Sequence, residues 1–158
     1  MTTVRLYEPQ DEPQLRDIAY LNYTGQFQDT RPTAADDPAV KAYLSHIVHI
    51  QQGGKGIVLV AEQDKKLTGF VCLLKPENGA GGSAYAFMSD LFVVPECRKQ
   101  GVGSQLTRAL EEQARLMGAT RVALRVEADN AASRSFYIKA HYQEKFLVMS
   151  KELPDDNH

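Results

Sequence analysis

The sequence predicts an α/β domain on a mixed central sheet of six or seven strands flanked by about four helices. Three observations carry that prediction. Apolar runs of strand character alternate with runs of helical spacing, in the order β-α-α-β-β-β-α-β-α-β. Ile57-Val58-Leu59-Val60-Ala61 and Leu67 to Leu74 are separated by Gln63-Asp64-Lys65-Lys66, which reads as a hairpin. Leu91 to Val94 runs through a glycine-rich turn into a helical pattern, a strand–turn–helix unit around which the chain is organised.

In order, residues 3–8 alternate, with Val4 and Leu6 opposed to Arg5 and Tyr7, as a first strand. Pro9 to Gln14 opens a helix carrying Leu15, Ile18, Ala19 and Asn22 and ending near Gly25. Residues 25–35 read as a loop. Asp36-Asp37-Pro38 suits a helix N-terminus, followed by an apolar face of Val40, Tyr43, Leu44, Ile47, Val48 and Ile50. Gly53-Gly54-Lys55-Gly56 breaks the chain before the hairpin. Pro76 to Ser83 reads as a mobile loop, and Ala84 to Val94 as the central strand, which Pro95 ends. The helix over 102–117 has Val102, Leu106, Ala109, Leu110, Gln113 and Met117 on one face and stops at Gly118. Val122, Leu124 and Val126 alternate in a strand, Asn130 to Ala140 form a short helix, and residues 142–152 return as a final strand. Residues 1–153 read as one domain and 154–158 as a polar tail.

Composition narrows the function classes. A hydrophobic content of 43% and a charged content of 24% are those of a soluble globular domain. A net charge of -2 supplies no basic field, so no nucleic-acid partner is expected. No apolar run approaches the roughly 18 residues that span a bilayer, so no membrane association is expected. The first residues do not read as a signal peptide, and Cys72 and Cys97 form neither a disulfide framework nor a metal spacing. A cytoplasmic location is the expectation. His46 and His49 lie three apart on a helix without a third ligand in view, so no metal is expected and helix-end histidines are the plain reading. Cys97 beside Arg98 reads as a bystander thiol.

Chemistry enters at Arg98-Lys99-Gln100-Gly101-Val102-Gly103-Ser104. A strand, a glycine turn and a helix N-terminus make an anion site: free amides converge, the helix dipole adds positive charge, and absent Cβ atoms let a phosphate approach. A P-loop needs four residues between its glycines and a Gly-Lys-Ser/Thr ending, and neither is present. A dinucleotide turn needs a third glycine where Leu106 stands, directly after its strand; Glu127 imitates its ribose-binding acid only in part. A glycine turn with no ligand is the bland alternative.

The third reading is the pattern Arg-x-x-Gly-x-Gly at 98–103, which resembles the acyl-CoA pyrophosphate loop of the GCN5-related N-acetyltransferase (GNAT) superfamily. A strand ending near Glu127, then Asn130 and Phe136-Tyr137, resembles that family's second motif, and the element order matches over nearly the whole chain. His141 departs from the pattern, standing where the family usually has a glycine in a left-handed turn. The resemblance implies acetyl-CoA as co-substrate. By it, backbone groups of Leu91, Phe92 and Val93 hold the pantetheine arm, and Arg98, Lys99, Gln100, Gly101, Val102, Gly103 and Ser104 cradle the pyrophosphate. Asn130, Ser133 and Tyr137 contact the cofactor further along, and Tyr137 protonates the leaving sulfur. The plain reading of Tyr137 is an aromatic packed beside Phe136.

Amine acetylation needs a base, because amines with pKa near 10 arrive protonated, and a donor for the oxyanion. Asp90 and Glu127 are the candidate carboxylates, Asp90 being the one expected to meet the acceptor. Asp90-Leu91-Phe92-Val93 resembles the polyamine and thialysine acetyltransferase branch, where acids in this region hold a cationic amine. Asp29, Asp36 and Asp37 are candidates to add charge, and Tyr20, Tyr23 and Phe87 to wall the pocket, against the plainer reading of solvated acids. The expected function is acetyl transfer to a primary amine of a small molecule. A protein or peptide amine, or an acyl-CoA-binding module without chemistry, are the alternatives. A homodimer is compatible with the resemblance, with the final strand as its interface.

Overall fold

The computed structural model describes residues 1–26, 34–78 and 84–155. Residues 1–125 form one compact unit and residues 126–158 a second. The first unit contains β1 (Thr3–Leu6), α1 (Glu12–Gln26), α2 (Pro38–His49), β2 (Gly56–Gln63), β3 (Lys66–Asn78), β4 (Ala84–Val93), α3 (Val102–Leu116) and β5 (Arg121–Ala123). The second contains α4 (Ala131–Lys139).

The sheet has the order β1-β2-β3-β4-β5. β2 pairs antiparallel with β3 and β3 with β4, while the crossover through α3 returns β5 parallel to β4. Asp64 and Lys65, both at positive φ, close the β2–β3 hairpin with the backbone twist such turns require. Asp37 caps α2 by accepting the Ala39 amide at 2.9 Å, with Pro38 behind it. Gly118 ends α3 at φ 89°, with Ala119 N–H reaching Ala114 O and Gly118 N–H reaching Arg115 O, a Schellman closure.

Each sheet face buries its own layer. Tyr7, Val58, Val60, Phe70, Cys72, Phe92 and Val94 pack with Leu15, Ile18, Ile47, Val48 and Ile50 from α1 and α2. On the opposite face lie Leu59, Val71 and Leu73, and α3 presents Val102, Leu106, Leu110 and Ala114, all buried. Gly69 permits that approach: a Cβ there would meet Phe92 O at 2.7 Å and Leu106 Cδ1 at 3.1 Å.

Three expectations need correction. The sheet has five strands rather than six or seven, because residues 142–152 form no strand among the described residues. Their apolar, β-prone run has no ladder partner there, and Phe146, Leu147, Val148 and Met149 are 70–86% exposed; strand propensity needs a neighbour to act on. The strand expected to reach Glu127 is laddered only at Arg121–Ala123, opposite Tyr85–Phe87. β3 continues past Leu74 to Asn78, with Pro76 falling in a register irregularity between Leu74 and Glu77, where a missing N–H is tolerated. α1 ends at Gln26, next to the end expected near Gly25. Asp29 and most of the 25–35 loop, residues 79–83 of the loop expected at 76–83, and the last three tail residues lie outside the described residues.

Candidate active site

The site is built on β4 and the turn that follows it. Gly101 is the N-cap of α3 at φ 86°, a left-handed conformation that favours glycine, and Lys99 also turns at φ 62°. Because glycine offers no capping side chain, the first amides of α3, those of Val102, Gly103 and Ser104, receive no side-chain cap. The first intrahelical bond is Gln105 N–H to Gly101 O, at 3.0 Å. A Cβ on Gly101 would meet nothing within 4 Å, so conformation and not crowding calls for glycine here. Uncapped amides, the helix dipole and the exposed Lys99 suit a phosphate-bearing ligand.

Arg98, exposed at the rim of the turn, is also tied back to the strand. Its Nε donates to Val93 O at 2.9 Å, and its guanidinium stacks 5.5 Å from the Phe92 ring centroid. The side chain therefore fastens the turn to the end of β4.

Within β4, one residue resets the phase. Cys72 pairs with Asp90 and Leu73 with Met88, so Ser89 is an extra residue without a counterpart in β3. A single-residue bulge transfers every later side chain to the other face. Ala86 and Met88 belong with the α3 layer, whereas Asp90, Phe92 and Val94 face α1 and α2. Phe87, paired with Leu74, is on the Asp90 face. On its other side, β4 loses its ladder to β5 after Phe87. Leu91 and Val93 thus lie on a stretch of β4 that β5 does not pair.

Asp90 is engaged. Tyr43 of α2 donates its hydroxyl to Asp90 Oδ1 at 3.0 Å, and Asn22 of α1 donates Nδ2 to Tyr43 Oη at 2.8 Å. Tyr23 tilts against Tyr43 with ring centroids 5.3 Å apart. Burial first, and the Asp90 charge second, push the Tyr43 phenol far above its usual range, so it remains a neutral donor. Burial likewise pushes up the Cys72 thiol, which lies across the ladder from Asp90. Tyr20 instead lines a depression with Arg16, Asp17, Leu21, Ala35 and Leu44. Asp37 is spent on its helix cap, Asp36 is exposed, and His49 bonds Ser45 O at 2.7 Å.

In the second unit, Asn130 caps α4 by accepting the Ser133 amide at 3.1 Å. Tyr137 packs edge-on between Phe136, at 5.2 Å, and Tyr142, at 5.6 Å. His141 adopts φ 71°, with Tyr142 N–H reaching Tyr137 O and His141 N–H reaching Ile138 O. Histidine makes the same closure that glycine makes after α3, so the departure from the family pattern leaves the turn intact. Glu127 is exposed.

Residues 13–142 match the Acetyltransferase (GNAT) family, a span that includes both glycine turn and Phe136-Tyr137. The chain belongs to that family. An uncharacterized N-acetyltransferase, YhfO of Bacillus subtilis (strain 168), is 28% identical over 119 residues, covering 75% of this chain and 78% of that protein. The aminoglycoside N(6')-acetyltransferase type 1 of Klebsiella aerogenes is 41% identical over 59 residues, covering 37% of this chain and 39% of that protein. Among solved structures, AAC(6')-Iy in complex with the bisubstrate analogue CoA-S-monomethyl-acetylneamine has a TM-score of 0.76 at 20% identity. It covers 98% of this chain and 99% of its own, a likeness of fold.

For this GNAT acetyltransferase, sequence reasoning missed Asn22 and Tyr43 as neighbours of Asp90. Both were assigned to apolar helix faces, and a polar atom at each of those positions was the available signal: an amide and a hydroxyl on core-facing positions need partners.

Proposed function

We propose that this acetyltransferase moves the acetyl group of acetyl-CoA to a primary amine of a small, cationic molecule, and that residues 1–153 act as one domain in doing so. The observation that carries the reading is the Asp90 carboxylate, one short stretch of strand before the uncapped N-terminus of α3. A negative group for an ammonium and an amide cradle for a pyrophosphate belong to a single strand–turn–helix unit. The aminoglycoside acetyltransferase relative supports a small-molecule amine as acceptor.

The amides of Val102, Gly103 and Ser104, with Lys99, Gln100 and Gly101, would hold the pyrophosphate, and Arg98 would keep that turn on β4. Backbone groups of Leu91, Phe92 and Val93 would hold the pantetheine arm as an added strand. Bound acetyl-CoA supplies an activated acyl thioester. Asp90 would receive the protonated amine and, directly or through water, take its proton; Glu127 is the alternative carboxylate. Asn130 and Ser133 would contact the cofactor from the start of α4. Tyr137 Oη would deliver a proton to the departing thiolate, whose pKa near 8.5 makes an acid useful. A homodimer fits the exposed Phe146-Leu147-Val148-Met149 run, for which a second copy is the proposed cover.

Melting temperature with and without acetyl-CoA, followed by thiol release over a panel of amines, tests the reading. A ligand bound only by the folded chain must raise stability by mass action. A raised melting temperature with release on polyamines or aminoglycosides is the expected result. A raised temperature with no reactive small amine would move the acceptor to a protein or peptide amine, or leave a binding module. An unmoved temperature would overturn the role of residues 98–104.

A further inference from the structure

We infer that Tyr43, itself anchored by Asn22, is the positioning residue that orients the acceptor-binding carboxylate of Asp90. This rests on the proposed reading in which Asp90 receives the amine. Three separate elements converge to make the contact: Asn22 comes from α1, Tyr43 from α2 and Asp90 from β4. The chain of donors runs one way. An ionised carboxylate only accepts, so the single phenolic proton goes to Asp90 Oδ1, and Asn22 must present its amide N–H to the oxygen left over. Asn22 and Tyr23 are each only 6% exposed, so the relay is set into packed surroundings with few alternative rotamers.

The geometry divides the work of the two carboxylate oxygens. Oδ1 is held by Tyr43, and among the described residues Oδ2 takes no hydrogen bond, which leaves it to the ligand. The Tyr23 ring tilts against that of Tyr43 with centroids 5.3 Å apart, packing the ring that carries the donor. An ammonium is drawn to a carboxylate more strongly than a neutral alcohol of the same shape is. The relay therefore sets where the amine nitrogen docks, and its loss is read in acceptor binding and not in CoA binding.

The test uses the full chain saturated with CoA, titrated calorimetrically with neamine and with spermidine, alongside KM and kcat from thiol release. The variants are Tyr43→Phe, Asp90→Asn and the two combined. Tyr43→Phe keeps the ring, so folding is retained and the melting temperature checks it. It is expected to raise the amine Kd and KM about tenfold, the loss of one hydrogen bond to a charged group, with CoA affinity within about twofold of the parent. In the Asp90→Asn background the same substitution is expected to add nothing, because its effect travels through the carboxylate. Equal losses in both backgrounds would mark Tyr43 as merely structural and overturn the inference. A silent Tyr43→Phe beside a damaging Asp90→Asn would overturn it while sparing the reading beneath. A silent Asp90→Asn, or binding of neither amine, would bring down that reading and the inference together.

Discussion

Gly101 and Tyr137 are the residues on which the proposed chemistry turns. Gly101 holds φ 86° as the α3 N-cap, and a β-branched side chain there is strained whatever space surrounds it. Gly101→Val should abolish the acetyl-CoA-induced rise in melting temperature, and a retained rise would refute the turn as the pyrophosphate site. Tyr137→Phe keeps the edge-on packing against Phe136 and Tyr142 while removing the hydroxyl. Turnover should fall by roughly 10²-fold, the usual contribution of a positioned acid, with CoA affinity nearly unchanged. Equal turnover at every pH would sink the acid assignment. His141 carries a smaller cost. Left-handed backbone disfavours a side chain by about 1 kcal/mol, and the extra freedom of an unfolded glycine returns about half of it. His141→Gly should thus raise the melting temperature by about 1–2 °C by differential scanning calorimetry.

Among the elements, the join of β1 to α1 has its own electrostatic lock. Arg5 grips Asp11 with both terminal guanidinium nitrogens, at 2.8 and 2.9 Å, and reaches Glu62 of β2 at 3.3 Å. Asp11 also accepts the Glu8 amide at 2.8 Å, tying the strand's exit to the first helical turn. The Arg5 hydrogen bonds hold the Asp11 carboxyl below the usual carboxylate range, against the opposing push of burial. Stability from a lowered carboxyl is present above its unfolded pKa of about 4 and is lost as pH falls through the lower folded value. Asp11→Asn should cost about 1–2 kcal/mol at neutral pH, and the gap between variant and parent in urea midpoint should shrink below about pH 4. A gap independent of pH would assign the loss to shape and not to charge.

For the whole molecule, the exposed apolar run at 146–149 sets the expectation for assembly. If a second copy covers it, melting temperature rises with protein concentration, and Leu147→Lys leaves a monomer by light scattering. A monomer at every concentration in the parent chain would remove the dimer from the proposal.

The amino-acid pattern by itself determined the order of elements from the first strand to α4. Local rules decide such features: Asp37-Pro38 starts a helix, Gly118 ends one, and Gly101-Val102-Gly103 opens another because backbone conformation and capping act within a few residues. The α/β class and the glycine turn followed from the same short-range physics. Only the tertiary structure decided which way Asp90 faces, since a one-residue bulge at Ser89 is invisible to alternation yet reverses every side chain after it. It alone joined Asn22, Tyr43 and Asp90, which lie up to 68 residues apart in sequence and meet only when two helices cover one sheet face. It also turned Arg98 back onto Val93, and withheld strand pairing from residues 142–152. A ladder or a side-chain contact is made by two segments, and the pattern of either one states only its own half.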